Sequence, residues 1–155
     1  MRQRGFQALC TIQGTTLKQA PTMSSTLQLA EGHPELIADS DGELLLVQRE
    51  ASVPDAPDSG GRWSVDHLFV TRSAVPVLVE VKRAVDTRLR REVVGQMLDY
   101  AANGVAYWQP GELAKRVAAG CERREQDPGV VLGSFLKAET TPQQFWAQVD
   151  ANLVA

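Results

Sequence analysis

The chain has 155 residues, enough for one folded domain with its hydrophobic core but not for two. Its 43% hydrophobic and 23% charged residues are typical of a globular protein and exclude a disordered or fibrous chain. The net charge of −3 gives no overall field that would attract nucleic acid, so any such binding needs a local basic patch.

The N-terminal segment is polar and lacks acidic residues before Glu31. Gln, Thr and Ser dominate it, and no secretory signal is recognisable. We therefore expect residues 1–23 to be a poorly ordered extension outside the fold. The folded domain is expected over 24–137, with a C-terminal helix in 138–155.

Three strands are predicted in the first half of the domain. The run at 43–50 follows an Asp-Gly turn signal, and the Pro- and Gly-containing run at 52–61 is typical of a loop. The runs at 63–70 and 75–83 are rich in β-branched and apolar residues and are joined by a short polar link. They are predicted to form a hairpin.

A helix is predicted next, from Asp86 as its N-cap to about Ala102, where Asn103-Gly104 would end it. Apolar residues recur at every fourth position of this helix and predict one buried stripe. The apolar run at 104–108 resembles a strand that returns to the sheet. A strand, a helix and a second strand in succession favour a parallel crossover.

Three further helices are predicted toward the C-terminus. Two are short and cover 112–119 and 130–137. The last has Thr141 as its N-cap and Pro142 at its first position. Its buried face would carry Phe145, Val149 and Leu153, spaced four residues apart. The element pattern predicts an α/β fold.

The second strand of the predicted hairpin carries two charged residues that point to the same face. Glu80 and Lys82 are two positions apart, and Asp66 lies on the adjoining strand within reach of Glu80 if the register pairs them. Two converging carboxylates in a largely apolar sheet repel one another unless a cation is present. Mg²⁺, which binds through one or two carboxylates and keeps waters, suits such a site, and an ammonium beside it could orient an attacking water. The competing interpretation is a solvated strand face with a cross-strand ion pair.

The following helix carries a polar row toward the sheet. Gln96 and Tyr100 are four residues apart, so they stack on one face at the edge of the apolar stripe, and Glu92 continues the row. The competing interpretation makes Tyr100 a core-edge aromatic residue and Gln96 a surface residue.

A locally basic strip lies between these two features. Such a strip beside an anionic pocket suits a phosphate backbone, although a solvated first helical turn is the alternative. Residues 82–92 contain two acidic residues and five basic ones. The basic residues are Lys82, Arg83, Arg88, Arg90 and Arg91.

The ordered series Asp66, then Glu80-Val81-Lys82, then Gln96 to Tyr100 resembles the PD-(D/E)XK nuclease superfamily, in the branch with a Gln-x-x-x-Tyr helix motif. It is most similar to an uncharacterised bacterial subgroup, and the resemblance covers about 27–108. The order and spacing of the motifs agree with the predicted elements.

This resemblance implies a restriction-endonuclease-like core, with a mixed central sheet of about four strands flanked by helices. It implies Mg²⁺ or Mn²⁺ held by Asp66 and Glu80, with Lys82 as the catalytic lysine. In many relatives a Glu on the first helix completes the metal site, and Glu35 occupies that place here. For Glu35 the alternative is an exposed glutamate at a helix start.

The implied function is a nuclease that hydrolyses phosphodiester bonds of DNA in repair, restriction or defence. Gln96 and Tyr100 would position the metal ligands or the substrate backbone, and Arg83, Arg88 and Arg91 would contact phosphates. RNA as substrate and a homodimer remain open alternatives, and no membrane partner is expected. The competing function is a catalytically silent nuclease-like fold that binds nucleic acid or protein. A third interpretation is a structural α/β protein.

Two features depart from the superfamily pattern. Ser64-Val65-Asp66 replaces the Pro-Asp of the superfamily name but keeps the carboxylate. Similar proteins continue into another strand after a helix like the last one here, so the domain is expected to be truncated. Cys10 and Cys121 lie far apart, without Cys or His at ligand spacing, which argues against a zinc site and favours a cytoplasmic setting.

Overall fold

A computed structural model describes residues 7–13, 44–56, 63–83 and 90–154. These residues form a mixed α/β fold in which the strands come first and the helices follow. The strands are β1 (Gln7–Gln13), β2 (Leu44–Val53), β3 (Trp63–Thr71) and β4 (Pro76–Arg83), and the helices are α1 (Arg90–Tyr107), α2 (Glu112–Arg123), α3 (Pro128–Leu136) and α4 (Pro142–Leu153).

The strands lie in the order β1-β4-β3-β2. β2, β3 and β4 are antiparallel neighbours, and the predicted hairpin is confirmed as β3 and β4, with Phe69 opposite Val77. β2 runs past the predicted end of the first strand, to Val53.

β1 pairs with β4 in parallel, with Leu9 opposite Val79. It lies inside the segment 1–23 that the sequence analysis placed outside the fold. Its residues mix polar and apolar types without clear alternation, so β4 as a pairing partner, rather than a local pattern, accounts for this strand.

A tight turn joins β3 to β4. The Ala74 N–H donates to the Thr71 carbonyl at 2.9 Å, and Ala74 takes a left-handed φ of 62°. The Thr71 hydroxyl accepts the Val75 N–H at 3.0 Å. On the other side of the turn, the buried Asn152 amide of α4 donates to the Ala74 carbonyl at 2.8 Å, which ties the last helix to the hairpin.

The predicted strand at 104–108 is wrong, because α1 continues through Asn103 and Gly104 to Tyr107. The Asn103 side-chain amide donates to the Asp99 carbonyl at 2.8 Å, so this residue bonds within the helix and does not end it. The Trp108 N–H then bonds to the Gly104 carbonyl at 3.0 Å. A crossover through 104–108 is therefore excluded. The predicted N-cap Asp86 lies outside the described residues.

The three C-terminal helices are confirmed, with α2 and α3 each shifted by a few residues at their ends. Thr141 caps α4 as predicted: its side chain accepts the Gln144 N–H while Gln144 reaches back to the Thr141 backbone, a reciprocal capping box. Phe145, Val149 and Leu153 are buried.

Arg116 anchors α2 to β2. One of its guanidinium nitrogens donates to the Ser52 carbonyl at 3.1 Å and to the Gln48 side chain at 3.3 Å. Its Nε bonds to Glu112 Oε1 at 3.0 Å, and the guanidinium lies 5.2 Å from the centre of the Trp108 ring. This network fixes the helix across the edge of the sheet.

The sheet is apolar on both faces. Alternation along β3 and β4 places Leu68 and Leu78 on one face, where they join the helices in the main core. Phe69, Val77 and Val79 lie on the other face in a smaller cluster. In the part of the chain that the structure describes, no helix has the length and apolar character to cross a membrane.

Candidate functional site

The predicted pairing of Asp66 and Glu80 is supported by the strand register. The ladder between β3 and β4 ends at His67 opposite Val79, and Asp66 and Glu80 are the next residues along the two strands. Beyond that point the Asp66 backbone N–H donates to Glu80 Oε2 at 3.4 Å. The Glu80 carboxylate thus lies against the backbone of the strand that carries Asp66.

Burial differs between these two acidic residues. Glu80 is 4% exposed and Asp66 is half-buried. A buried carboxylate costs free energy unless hydrogen bonds or an opposite charge offset the loss of its hydration. A solvated face at Glu80, which was one of the two interpretations, is therefore contradicted.

The predicted pair on the helix also forms. Gln96 Nε2 donates to the Tyr100 hydroxyl oxygen across one turn of α1. Tyr100 is 2% exposed and belongs to the main core together with strand residues, so its side chain faces the sheet as predicted. Gln96 is half-buried beside it.

An indole ring connects the helix pair with β3. The Trp63 ring centre lies 6.3 Å from that of Tyr100, with the two planes tilted by 46°. Trp63 is the first residue of the strand that carries Asp66, and it packs against the main core. This contact gives Trp63 a packing role.

The remaining predicted site residues lie partly or wholly outside the described part. Glu35 and Arg88 are outside it. Lys82 and Arg83 belong to β4 and Arg91 to α1, but only their backbone positions are described.

The donor chemistry at the described carboxylates fits a hard cation. Within the described residues, no group of three or more His, Cys, Asp or Glu side chains could hold a metal ion. Asp66 and Glu80 offer oxygen ligands alone, however, and Mg²⁺ commonly binds through one or two carboxylates with water and substrate oxygens completing its shell. The residues present therefore fit Mg²⁺ or Mn²⁺ and do not fit a zinc centre, which favours His and Cys.

His67, next to Asp66, was not identified from the sequence as a candidate residue. It is 4% exposed, its ring stacks on Phe69 with the centres 5.8 Å apart, and neither ring nitrogen has a hydrogen-bond partner among the described residues. Burial lowers the pKa of His67 below 6.5, and Arg49, directly opposite in the ladder, lowers this pKa further. The negative charges of Asp66 and Glu50 raise the pKa of His67 in part. One sequence signal could have identified His67: it lies two positions before Phe69, so the two side chains share one face of the predicted strand.

Acid is expected to destabilise the fold through His67. Its pKa is lowered in the folded state, so the unfolded chain binds the proton first as the pH falls below 6.5. The free energy of unfolding therefore falls with pH below that value, by at most about 1.4 kcal/mol per pH unit. Urea denaturation at pH 7.5, 6.0 and 5.5 measures this slope.

The variant His67→Phe is expected to remove most of that slope, because phenylalanine keeps the stacking on Phe69 and carries no proton. His33→Gln is the matched control, since His33 is the other histidine of the chain, and it should keep the slope. An unchanged slope in His67→Phe would show that other groups cause the acid sensitivity.

The described geometry thus provides two contacts between predicted site residues: Asp66 with Glu80 at the end of the β3–β4 ladder, and Gln96 with Tyr100 on α1. Trp63 lies between the strand and the helix. Asp66 and Glu80 offer oxygen ligands from the sheet, and Gln96 and Tyr100 offer polar groups from the helix. Compared with protein-family models, curated proteins and solved structures, the chain has no match in any of the three.

Proposed function

We propose that this protein is a metal-dependent nuclease that hydrolyses phosphodiester bonds of DNA, built on a restriction-endonuclease-like core of the PD-(D/E)XK type. The observation that carries the proposal is Glu80, a carboxylate only 4% exposed that reaches the Asp66 backbone of the adjacent strand. This is the pair of acidic residues that the motif resemblance assigns to the metal.

The energetics of Glu80 favour a role beyond packing. Glu80 is only 4% exposed, and a carboxylate that loses its hydration is stabilised by an opposite charge or a cation. The carboxylate of Asp66, which is half-buried on the adjacent strand opposite Glu80, would repel the Glu80 carboxylate where the two converge. A divalent cation bound by both groups would remove that repulsion.

Each residue has a defined task in this proposal. Asp66 and Glu80, together with Glu35, would hold Mg²⁺ or Mn²⁺, and the cation would neutralise charge on the scissile phosphate. Lys82, two positions beyond Glu80 in β4, would orient the attacking water and stabilise developing negative charge. The Gln96–Tyr100 pair would fix the position of the ligands or of the nucleic-acid backbone.

Docking of the nucleic acid would rest on the basic strip that begins with the last two residues of β4. Arg83, Arg88 and Arg91 would contact phosphates, because the net charge of −3 leaves such local basic residues as the source of attraction. Phosphate contacts position the backbone without reading base sequence. DNA is the proposed substrate, and RNA is the alternative that the same contacts would serve.

A catalytically silent nuclease-like module is the second candidate, and one observation favours it. The Asp66 N–H to Glu80 bond occupies the place where the β3–β4 ladder ends, so Glu80 also serves the sheet by satisfying a backbone donor. A module of this kind would bind nucleic acid or protein without hydrolysis and would not require a cation.

Calorimetric titration with Mn²⁺ separates the two functions, and cleavage assays test the nuclease directly. The nuclease should bind Mn²⁺ and cut plasmid or single-stranded DNA with Mg²⁺ or Mn²⁺ but not with EDTA. Parallel reactions on RNA of the same sequence decide between the substrates. Absence of both Mn²⁺ binding and cleavage would reject the nuclease in favour of the silent module.

A further inference from the structure

The side chain of Trp63 links β3 to α1. Its indole contacts the Tyr100 ring at 6.3 Å between centres, and Tyr100 in turn accepts a hydrogen bond from Gln96. Trp63 also opens the strand that carries Asp66 three residues later. A chain of contacts therefore runs from the strand with the acidic residue to the polar pair on the helix.

We propose that Trp63 is a positioning residue, which fixes the orientation of the Gln96 amide through the Tyr100 ring. The inference rests on the proposed nuclease function for its effect on catalysis. It assigns no contact between Trp63 and the nucleic acid.

The rotatable side-chain torsions of Gln96 and Tyr100 explain why an anchor is needed. Gln96 is half-buried, and its side-chain amide donates to the Tyr100 hydroxyl, so the direction of the amide follows the position of that hydroxyl. A Tyr side chain is set by two torsions, and packing on the ring fixes both. Trp63 supplies such packing from the strand side, at a ring-centre distance within the range of aromatic pairs.

The backbone of Trp63 is held in the sheet by its pairing with β2. Trp63 lies opposite Val53 in the β2–β3 ladder, and Val53 is fully buried. The indole is therefore attached to the sheet, not to a free loop end. A smaller residue at this position would let the Tyr100 ring shift and would release the Gln96 amide.

The test uses the full chain and the variants Trp63→Leu and Trp63→Phe. Trp146→Leu is the matched control, because Trp146 is also partly buried against the main core but packs on Phe145. Tyr100→Phe removes the hydroxyl that accepts from Gln96. This variant therefore gives the reference positions of the Gln96 amide signals without that hydrogen bond. The first readout is the side-chain ¹⁵N–¹H spectrum of Gln96, recorded without metal or DNA.

In Trp63→Leu the Gln96 amide signals should move toward their positions in Tyr100→Phe, and in Trp63→Phe they should stay near the wild-type positions. Trp146→Leu should leave them in place. Unmoved Gln96 signals in Trp63→Leu, or equal movement in Trp146→Leu, would overturn the proposal. If Trp63→Leu does not fold, Trp63→Met takes its place, with the same expected movement and the same contradicting result.

The second readout is cleavage. Trp63→Leu should lower kcat by about tenfold to 10²-fold, as expected for a misplaced catalytic group, while KM stays within about twofold. Trp63→Phe should restore most of kcat. A rise in KM at constant kcat would overturn the positioning role. If wild-type protein cuts no DNA, the nuclease proposal fails alone, since the amide spectra still decide whether Trp63 orients Gln96.

Discussion

Glu80→Gln is expected to lower metal-dependent cleavage by at least about 10²-fold while the protein stays folded. Glutamine has nearly the same volume and keeps an oxygen that accepts the Asp66 N–H, so the end of the β3–β4 ladder remains satisfied. It lacks the negative charge that would hold the cation. Initial cleavage rates at saturating Mn²⁺, together with the Mn²⁺ binding isotherm, measure the effect.

Two further variants make this result interpretable. Glu122→Gln is the matched control, because Glu122 is exposed on α2, and it should cleave at the wild-type rate. Glu80→Ala removes both the charge and the hydrogen-bond acceptor, so it should lose cleavage and also unfold at lower urea than Glu80→Gln. Wild-type cleavage by a folded Glu80→Gln protein would remove Glu80 from the metal site.

Local signals predicted the hairpin and the last helix. β3 and β4 are contiguous runs of β-branched and apolar residues around a short polar link, and the helix α4 carries both a capping residue and a regular apolar spacing. In these elements propensity, pattern and tertiary packing agree. Such agreement is the condition under which a single sequence is informative.

Local sequence signals did not predict the end of α1 or the strand β1, because a side-chain contact or a distant pairing partner determines each of them. Asn103-Gly104 resembles a helix stop, but the Asn103 amide bonds back to Asp99 and the helix continues to Tyr107. β1 pairs with β4, a strand more than sixty positions away, and this partner could not be inferred from residues 7–13 alone.

In the candidate site, too, some features were predictable from the sequence and others depend on tertiary packing. The adjacency of Asp66 and Glu80 follows from the hairpin and from alternation, so it was predictable. The burial of Glu80 and the contact of Trp63 with Tyr100 depend on how the helix packs on the sheet. Among the described residues the ring nitrogens of His67 have no hydrogen-bond partner, and this depends on its neighbours in space, which the sequence does not give.

Phe145→Ala is expected to cost about 3–5 kcal/mol of the free energy of unfolding. Phe145 is 2% exposed, and its ring makes edge contacts with Phe135 at 5.8 Å and with Trp146 at 5.0 Å. Truncation to alanine loses this buried area and leaves a cavity that aromatic neighbours fill poorly. Urea denaturation followed by far-ultraviolet circular dichroism at pH 7.5 gives the value.

Leu98→Ala serves as the control, because Leu98 is 65% exposed on α1 and its truncation should change stability by no more than about 0.5 kcal/mol. A loss below about 1 kcal/mol in Phe145→Ala would mean that α4 does not complete the main core. The same helix holds the β3–β4 turn through Asn152 and Ala74. Loosening α4 should therefore increase hydrogen exchange at the turn before exchange increases in β2, because the hairpin loses its support from the helix side.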